Sequence, residues 1–156
     1  GASHVIVTSY VFSEGRVNYE NLVRMEAAVG KEHLVLDVSC RKRDASYYIM
    51  TDRWQKFTDE VVDEALLERL MSYCDEFLVH AVDVEGKARG IETELAAMLG
   101  DWGKIPITYA GGVAGFSDLD LLKTLGHNRL DVTIGSALDL FGGPMAYEKV
   151  IQYVKQ

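Results

Sequence analysis

The sequence predicts an α/β fold built of parallel βαβ units, and three observations carry that expectation. Short apolar runs of about five residues alternate with longer stretches whose apolar residues recur at helical spacing. Five strands and five helical segments follow one another in this way, which specifies parallel strands joined by right-handed crossovers. Two late runs, Ile105–Tyr109 and Val132–Ile134, each lead into glycines, Gly111-Gly112 and Gly135-Ser136, with a helix-like segment behind. Glycine at the carboxyl end of a strand lets backbone N–H groups approach an anion closely, and the helix start behind it adds unpaired donors. Taken singly, such glycines merely turn the chain. Paired on neighbouring parallel strands, Gly111, Gly112, Gly135 and Ser136 read as one phosphate cup.

The elements follow in order. Val5–Ser9 is a strand that begins almost at the first residue, and a chain that opens on a core strand without methionine reads as a piece of a longer one. A turn at Glu14-Gly15 leads to a helix at about Asn18–Val29, whose Leu22, Met25 and Val29 share a face and which Gly30 closes. His33–Val38 is the second strand; its continuous apolar stretch suits a strand covered on both faces, and it ends at Asp37. Tyr47–Met50 and Trp54–Phe57 flank Thr51-Asp52-Arg53 as a hairpin excursion. A helix at Asp59–Tyr73 carries Val62, Leu66, Leu67 and Leu70 on one face. Then come strand Phe77–Val82, its loop Asp83–Gly90, helix Ile91–Leu99, strand Ile105–Tyr109, helix Ser117–Leu125, strand Val132–Ile134 and helix Ala146–Val154. Ser117, with Asp118 behind it, reads as an N-cap with a negative first turn.

Size and composition bound the function. A chain of 156 residues, 48% hydrophobic and 26% charged, suffices for one globular core, and no linker or low-complexity segment divides residues 1–156. A net charge of -8 and a pI near 4.9 argue against nucleic acid or an anionic membrane as partners, while leaving room for a local cationic pocket. The apolar runs are far short of the roughly 20 residues that cross a bilayer, and no signal peptide is visible. The two cysteines, Cys40 and Cys74, form neither a metal-ligand spacing nor a disulfide framework, which fits a reducing, cytoplasmic setting. No metal or cofactor is expected.

The late position of the glycine turns, and the lack of GxGxxG after the first strand, disfavour a doubly wound dinucleotide fold. Phosphate turns of this kind sit after strands seven and eight of a (β/α)8 barrel, which typically takes about 250 residues. Five units account for part of one barrel, with three units missing.

The blocks GASHVIVTS, LVLDVSCRK, DRWQKFTDE, EFLVHAVDVEG, TYAGGV and DVTIGSALDLFGG, in unbroken order over practically the whole chain, resemble the carboxyl-terminal three-fifths of the phosphoribosylformimino-5-aminoimidazole carboxamide ribotide isomerases of histidine biosynthesis, in their eukaryotic-type version. The resemblance implies a (β/α)8 barrel of which this chain holds strands four to eight, Val5–Ser9 being the fourth and Val132–Ile134 the eighth. It also implies an Amadori rearrangement of a phosphoribosyl substrate, an aminoaldose becoming an aminoketose. An acid must protonate the ring oxygen and a base must take the C2 proton.

On that resemblance Asp37 stands at the fifth-strand acid position, and the first-strand aspartate that would be the base lies outside the sequence. A carboxyl group at the end of a buried strand suits the acid role because desolvation raises its pKa. The competing role for Asp37 is to cap a turn at Val38–Cys40. Trp54 resembles the tryptophan that lies over the substrate; hairpin packing is its alternative. Arg41, with Lys42 and Arg43, forms a cationic cluster beside Asp37 that suits phosphate, or else a solvated loop. Asp83 is placed to bond substrate hydroxyls, and Thr8 and Ser9 to donate to the second phosphate. His80, inside an apolar strand, reads as a core histidine. A second expectation is a catalytically silent phosphate-binding partial barrel whose open edges are covered by self-association or by a missing amino-terminal segment. The related cyclase barrel fits the RWQKFTD block less well.

Overall fold

The computed structural model describes residues 1–87 and 89–155 and shows an α/β architecture around a mainly parallel sheet. Strand β1 (Val5–Val7) leads to a small hairpin, β2 (Phe12–Ser13) and β3 (Arg16–Val17), about the expected Glu14-Gly15 turn. Helix α1 (Tyr19–Val29) follows; Asn18 caps it, its Oδ1 accepting from the Asn21 N–H at 3.0 Å. Next come β4 (Leu34–Arg43), β5 (Ser46–Thr51), β6 (Lys56–Val61) and α2 (Glu64–Leu70). The remainder alternates: β7 (Glu76–Ala81), α3 (Thr93–Trp102), β8 (Ile107–Ala110), α4 (Phe116–Leu125), β9 (Leu130–Thr133) and α5 (Tyr147–Val154).

Five strands are parallel and lie in chain order, β1-β4-β7-β8-β9. The amino half of β4 pairs with β1 through Leu34, Val35 and Leu36; its carboxyl half, Cys40–Arg43, runs beyond β1 and pairs antiparallel with β5. That overhang carries β5 and β6 above the strand ends, the place expected for the excursion.

Strand parity divides the sheet into two unlike faces. Leu34, Leu36, Val38, Phe77, Val79, Ile107 and Tyr109 are buried in one core with Leu22, Leu66, Leu70, Leu95, Leu99 and Leu122 of the helices. The other face presents Val35, Asp37, Ser39, Glu76, Leu78, His80, Thr108 and Thr133, of which only Val35 and Ser39 are fully buried. The expectation of a β4 covered by apolar residues on both faces therefore holds for one face. The second is polar and half open.

Several boundaries differ from the sequence reading, each for a local reason. The second expected strand does not end at Asp37 but continues to Arg43, since Val38–Cys40 stay in the ladder with β7. No turn exists there for Asp37 to cap. The hairpin is shifted: Trp54 lies in the turn between β5 and β6, and Asp59–Val61, expected as helix, extend β6 because Val61 pairs with Tyr48 and the Glu60 carboxylate accepts the Val17 N–H at 3.1 Å. Helix α2 starts only after Asp63, whose Oδ1 accepts the Leu66 N–H at 2.8 Å. Helix α4 starts at Phe116 rather than behind a Ser117 cap, and Asp118 instead reaches back to the N–H groups of Ala114 (2.7 Å) and Gly115 (3.2 Å). Strand β1 stops at Val7, leaving Thr8 and Ser9 in a turn whose Thr8 carbonyl accepts from Val11 and Phe12. Of the expected Asp83–Gly90 loop, residue 88 lies outside the described residues.

Candidate active site

Asp37 sits in the middle of β4, on the polar face, with Leu78 beside it in register. A cleft of about 300 Å³ opens over it, walled by Thr8, Ser9 and Phe12 on one side, Ser39 below, and Met50 to Trp54 on the other. The side chain is half-buried. Burial pushes its carboxyl above the ordinary carboxylate value, against the opposite pulls of the Ser39 hydroxyl, which donates to Asp37 Oδ1 at 2.9 Å, and of the His80 charge. A carboxyl group so placed keeps its proton to higher pH than one in water, the property a general acid needs.

Trp54 forms the rim of the cleft and is 37% exposed. It belongs to three consecutive residues in the left-handed region, Asp52 (φ 54), Arg53 (φ 56) and Trp54 (φ 67). L-residues enter that region singly at a cost of about 1–2 kcal/mol each. The run is tied down by the β5–β6 ladder and by the edge-on contact of the indole with the His80 ring, 4.8 Å between centroids.

A second hollow, of about 60 Å³, lies at the carboxyl ends of β7, β8 and β9, lined by Gly111, Gly112, Gly135 and Ser136 together with His80, Glu85 and Thr133. Here the glycines differ in kind. Gly111 (φ 114) and Gly112 (φ 79) are required by the backbone: a Cβ on Gly111 would stand 2.7 Å from the Ala81 carbonyl, and one on Gly112 2.2 Å from the Gly90 carbonyl. Beside Gly135 there is open space. The two glycine turns expected from the sequence thus line one hollow, sized for a single small anion.

Of the site residues picked from the sequence, the cleft gathers Asp37, Thr8, Ser9 and Trp54, and the cup gathers Gly111, Gly112, Gly135 and Ser136. Arg41 and Asp83 line neither. They face each other, Arg41 Nε 2.8 Å from Asp83 Oδ1, while Asp83 Oδ2 accepts the Lys42 N–H at 3.2 Å. Arg43 lies over the rings of Tyr48 and Phe57, and Lys42 Nζ is 2.5 Å from a Glu94 carboxylate oxygen, so the members of the cationic triplet turn to separate partners. Among the described residues no cluster of His, Cys, Asp and Glu is arranged to hold a metal ion. Cys40 and Cys74 are free and buried, and burial pushes the Cys74 thiol up to about 12.

Two residues not chosen from the sequence as site residues line the glycine hollow, His80, read there as a core histidine, and Glu85. His80 is in register with Ser39 and with Ala110, and its Nε2 lies 2.9 Å from Glu85 Oε2 without the alignment of a hydrogen bond. Strand parity carried the signal: the buried alternation Phe77, Val79, Ala81 puts His80 on the opposite face, the one Asp37 shares.

A half-buried carboxyl group facing a cleft, and a glycine-lined hollow at the carboxyl ends of β7, β8 and β9, define an α/β chain whose hollows lie where open parallel sheets carry their ligands. The histidine biosynthesis protein family matches residues 1–143, and the chain belongs to that family. It is 55% identical over its full length to a Medicago truncatula protein named 1-(5-phosphoribosyl)-5-((5-phosphoribosylamino)methylideneamino) imidazole-4-carboxamide isomerase, chloroplastic, of which it covers 50%. A Yarrowia lipolytica isomerase of the same name is 46% identical over 92% of the chain and 57% of its own length. For that of Saccharomyces cerevisiae the identity is 41%, over 91% of the chain and 57% of the relative. The chain spans about half the length of the curated relatives it matches.

Proposed function

We propose that this chain is the carboxyl-terminal part of an aldose–ketose isomerase of histidine biosynthesis, supplying strands four to eight of a (β/α)8 barrel as β1, β4, β7, β8 and β9. The observation that carries the reading is Asp37, a carboxyl group with raised proton affinity facing a cleft that opens beside an anion cup. In the rearrangement, Asp37 delivers its proton to the ribose ring oxygen as the C1–O bond breaks, leaving an iminium at C1. A base then removes the C2 proton, and the enolamine formed tautomerises to the aminoketose. The base belongs to a strand outside these residues.

The remaining residues bind and orient. The backbone of Gly111, Gly112 and Gly135 with Ser136 takes one phosphate, and the Thr8 and Ser9 turn offers donors across the cleft to the other. The Trp54 indole covers the heterocycle and keeps water from the reacting centre. Arg41 and Asp83, paired with each other, hold the overhang of β4 in place. The acidic net charge of -8 supports a small-molecule substrate over nucleic acid, and the free, buried thiols suit a reducing compartment, cytoplasmic or organellar. No helix among the described residues is long and apolar enough to cross a membrane.

The test is conversion of the phosphoribosyl aminoaldose by the full-length protein, followed by separation of substrate from aminoketose product. Accumulation of the aminoketose is expected. A protein that binds the substrate and never converts it would leave a phosphate-binding chain with no isomerase chemistry.

A further inference from the structure

The proposed reaction needs two groups, an acid and a base, and His80 is neither. Yet its imidazole lines the cup and also contacts Trp54, a residue of the cleft wall. On one side it meets the Trp54 indole edge-on at 4.8 Å, at the rim of the Asp37 cleft. On the other it lines the glycine cup, with Nε2 held 2.9 Å from Glu85, a second residue of the cup wall. The His80 side chain is 19% exposed and that of Glu85 34%, so the contact is partly screened from water.

Three features of this arrangement need a common explanation. A carboxylate stands in the wall of a cup that otherwise suits an anion. The nitrogen facing that carboxylate is buried and lacks an aligned hydrogen bond. And the indole in contact with the same ring belongs to a run of three left-handed residues that a loop would not adopt unaided. We propose that His80 is a positioning residue that couples the cup to the cleft: Glu85 holds its imidazole against Trp54, and a phosphate entering the cup displaces the Glu85 carboxylate and draws the imidazole to itself.

The physical steps are short. Like charges in a small hollow repel, so the anion and Glu85 do not share the cup. Once Glu85 has left, Nε2 has a new acceptor in the phosphate oxygen, and the bond it then makes is charge-assisted. The ring cannot turn toward the cup without changing its edge contact with the indole. Trp54, held in strained backbone partly by that contact, is thereby placed according to whether phosphate is bound. The consequence for the reading above, on which this inference rests, is that the ring over the heterocycle is set only when the phosphate end of the substrate is seated.

The experiment is a titration of the full-length protein with inorganic phosphate, followed in parallel by calorimetry and by tryptophan emission. Subtracting the Trp54→Phe signal isolates Trp54 from Trp102, which is buried against Phe77 on the helix-covered face, and from tryptophans elsewhere in the protein. The expected result is a phosphate-dependent change in Trp54 emission that tracks calorimetric binding and is lost in both His80→Phe and Glu85→Gln, each checked by circular dichroism. His80→Phe keeps an aromatic edge against the indole and removes Nε2; should it fail to fold, Glu85→Gln, which keeps the shape of the wall, decides. Phosphate binding with an unchanged Trp54 signal in the wild type, or an undiminished change in Glu85→Gln, overturns the coupling while leaving the cup intact. A wild type that binds no phosphate overturns both the cup and the coupling.

Discussion

At the residue scale, the chemistry rests on how β4 treats one carboxyl group. The sequence offers two roles for Asp37, acid or turn cap, and the second has no turn to serve because the strand runs on to Arg43. Burial raises the proton affinity of this carboxyl group, and Ser39 and His80 only partly restore it. That has a consequence for stability, and its sign is fixed. A carboxyl group with a raised folded-state pKa favours folding when protonated, so its contribution is fully present below the unfolded value of 3.8 and is lost as pH rises through the folded value. Asp37→Asn, which cannot ionise, is therefore expected to be more stable than the wild type at neutral pH, with the difference shrinking to nothing as the pH falls below 3.8. Denaturant midpoints measured across that range check it, and a variant that is less stable at neutral pH would mean that Asp37 is held in its charged form.

At the scale of elements, the turns after β8 and β9 do different work although both read as glycine turns in sequence. The Gly111-Gly112 turn is a backbone requirement. Gly112→Ala puts a Cβ into the Gly90 carbonyl at a positive φ, and a loss of about 2–4 kcal/mol in unfolding free energy is expected. Gly135→Ala meets open space and should change stability by no more than about 0.5 kcal/mol while weakening inorganic phosphate binding, because the space it fills is the cup. Thermal or denaturant unfolding of the two variants, with phosphate calorimetry on the second, separates the roles. The same scale shows what was legible. Alternation gave the five parallel strands, and Gly30 marked the end of α1. Local pattern misjudged the segment from Val38 to Val62, because its strands are long-range pairings: Val61 is extended on account of Tyr48 and Glu60 on account of Val17, neither of which a helical periodicity at Val62, Leu66 and Leu70 reports. In the site, Asp37, Thr8, Ser9 and Trp54 line one cleft, whereas Arg41, chosen from a cationic cluster, and Asp83, chosen at a strand exit, are partners of each other across a sequence distance no local window spans. His80 was misread for a third reason: periodicity identifies a strand, but only pairing with β4 says which of its faces holds the site.

At the scale of the whole molecule, the parallel run of the sheet leaves two edges among the described residues. Among the described residues β1 is bonded to β4 alone and β9 to β8 alone, Ile6 on β1 is 59% exposed, and the polar face has no layer over it. A broad hollow of about 600 Å³ lined by Ile6, Val35, Glu76, Leu78 and Thr108 occupies that face at the amino ends of the strands. An open edge and an uncovered face are liabilities for a chain on its own and natural seams for the rest of a barrel. In the proposed isomerase the seam also divides the chemistry, the acid and one phosphate cup on this side and the base on the other. Catalysis in the proposed isomerase therefore rests on Asp37, and the measurement that tests this most directly is steady-state turnover of full-length Asp37→Asn. Loss of one member of an acid–base pair predicts a fall in kcat of roughly 10²–10⁴ with KM within a few-fold of the wild type. A kcat near that of the wild type would contradict the assignment of Asp37 as the acid.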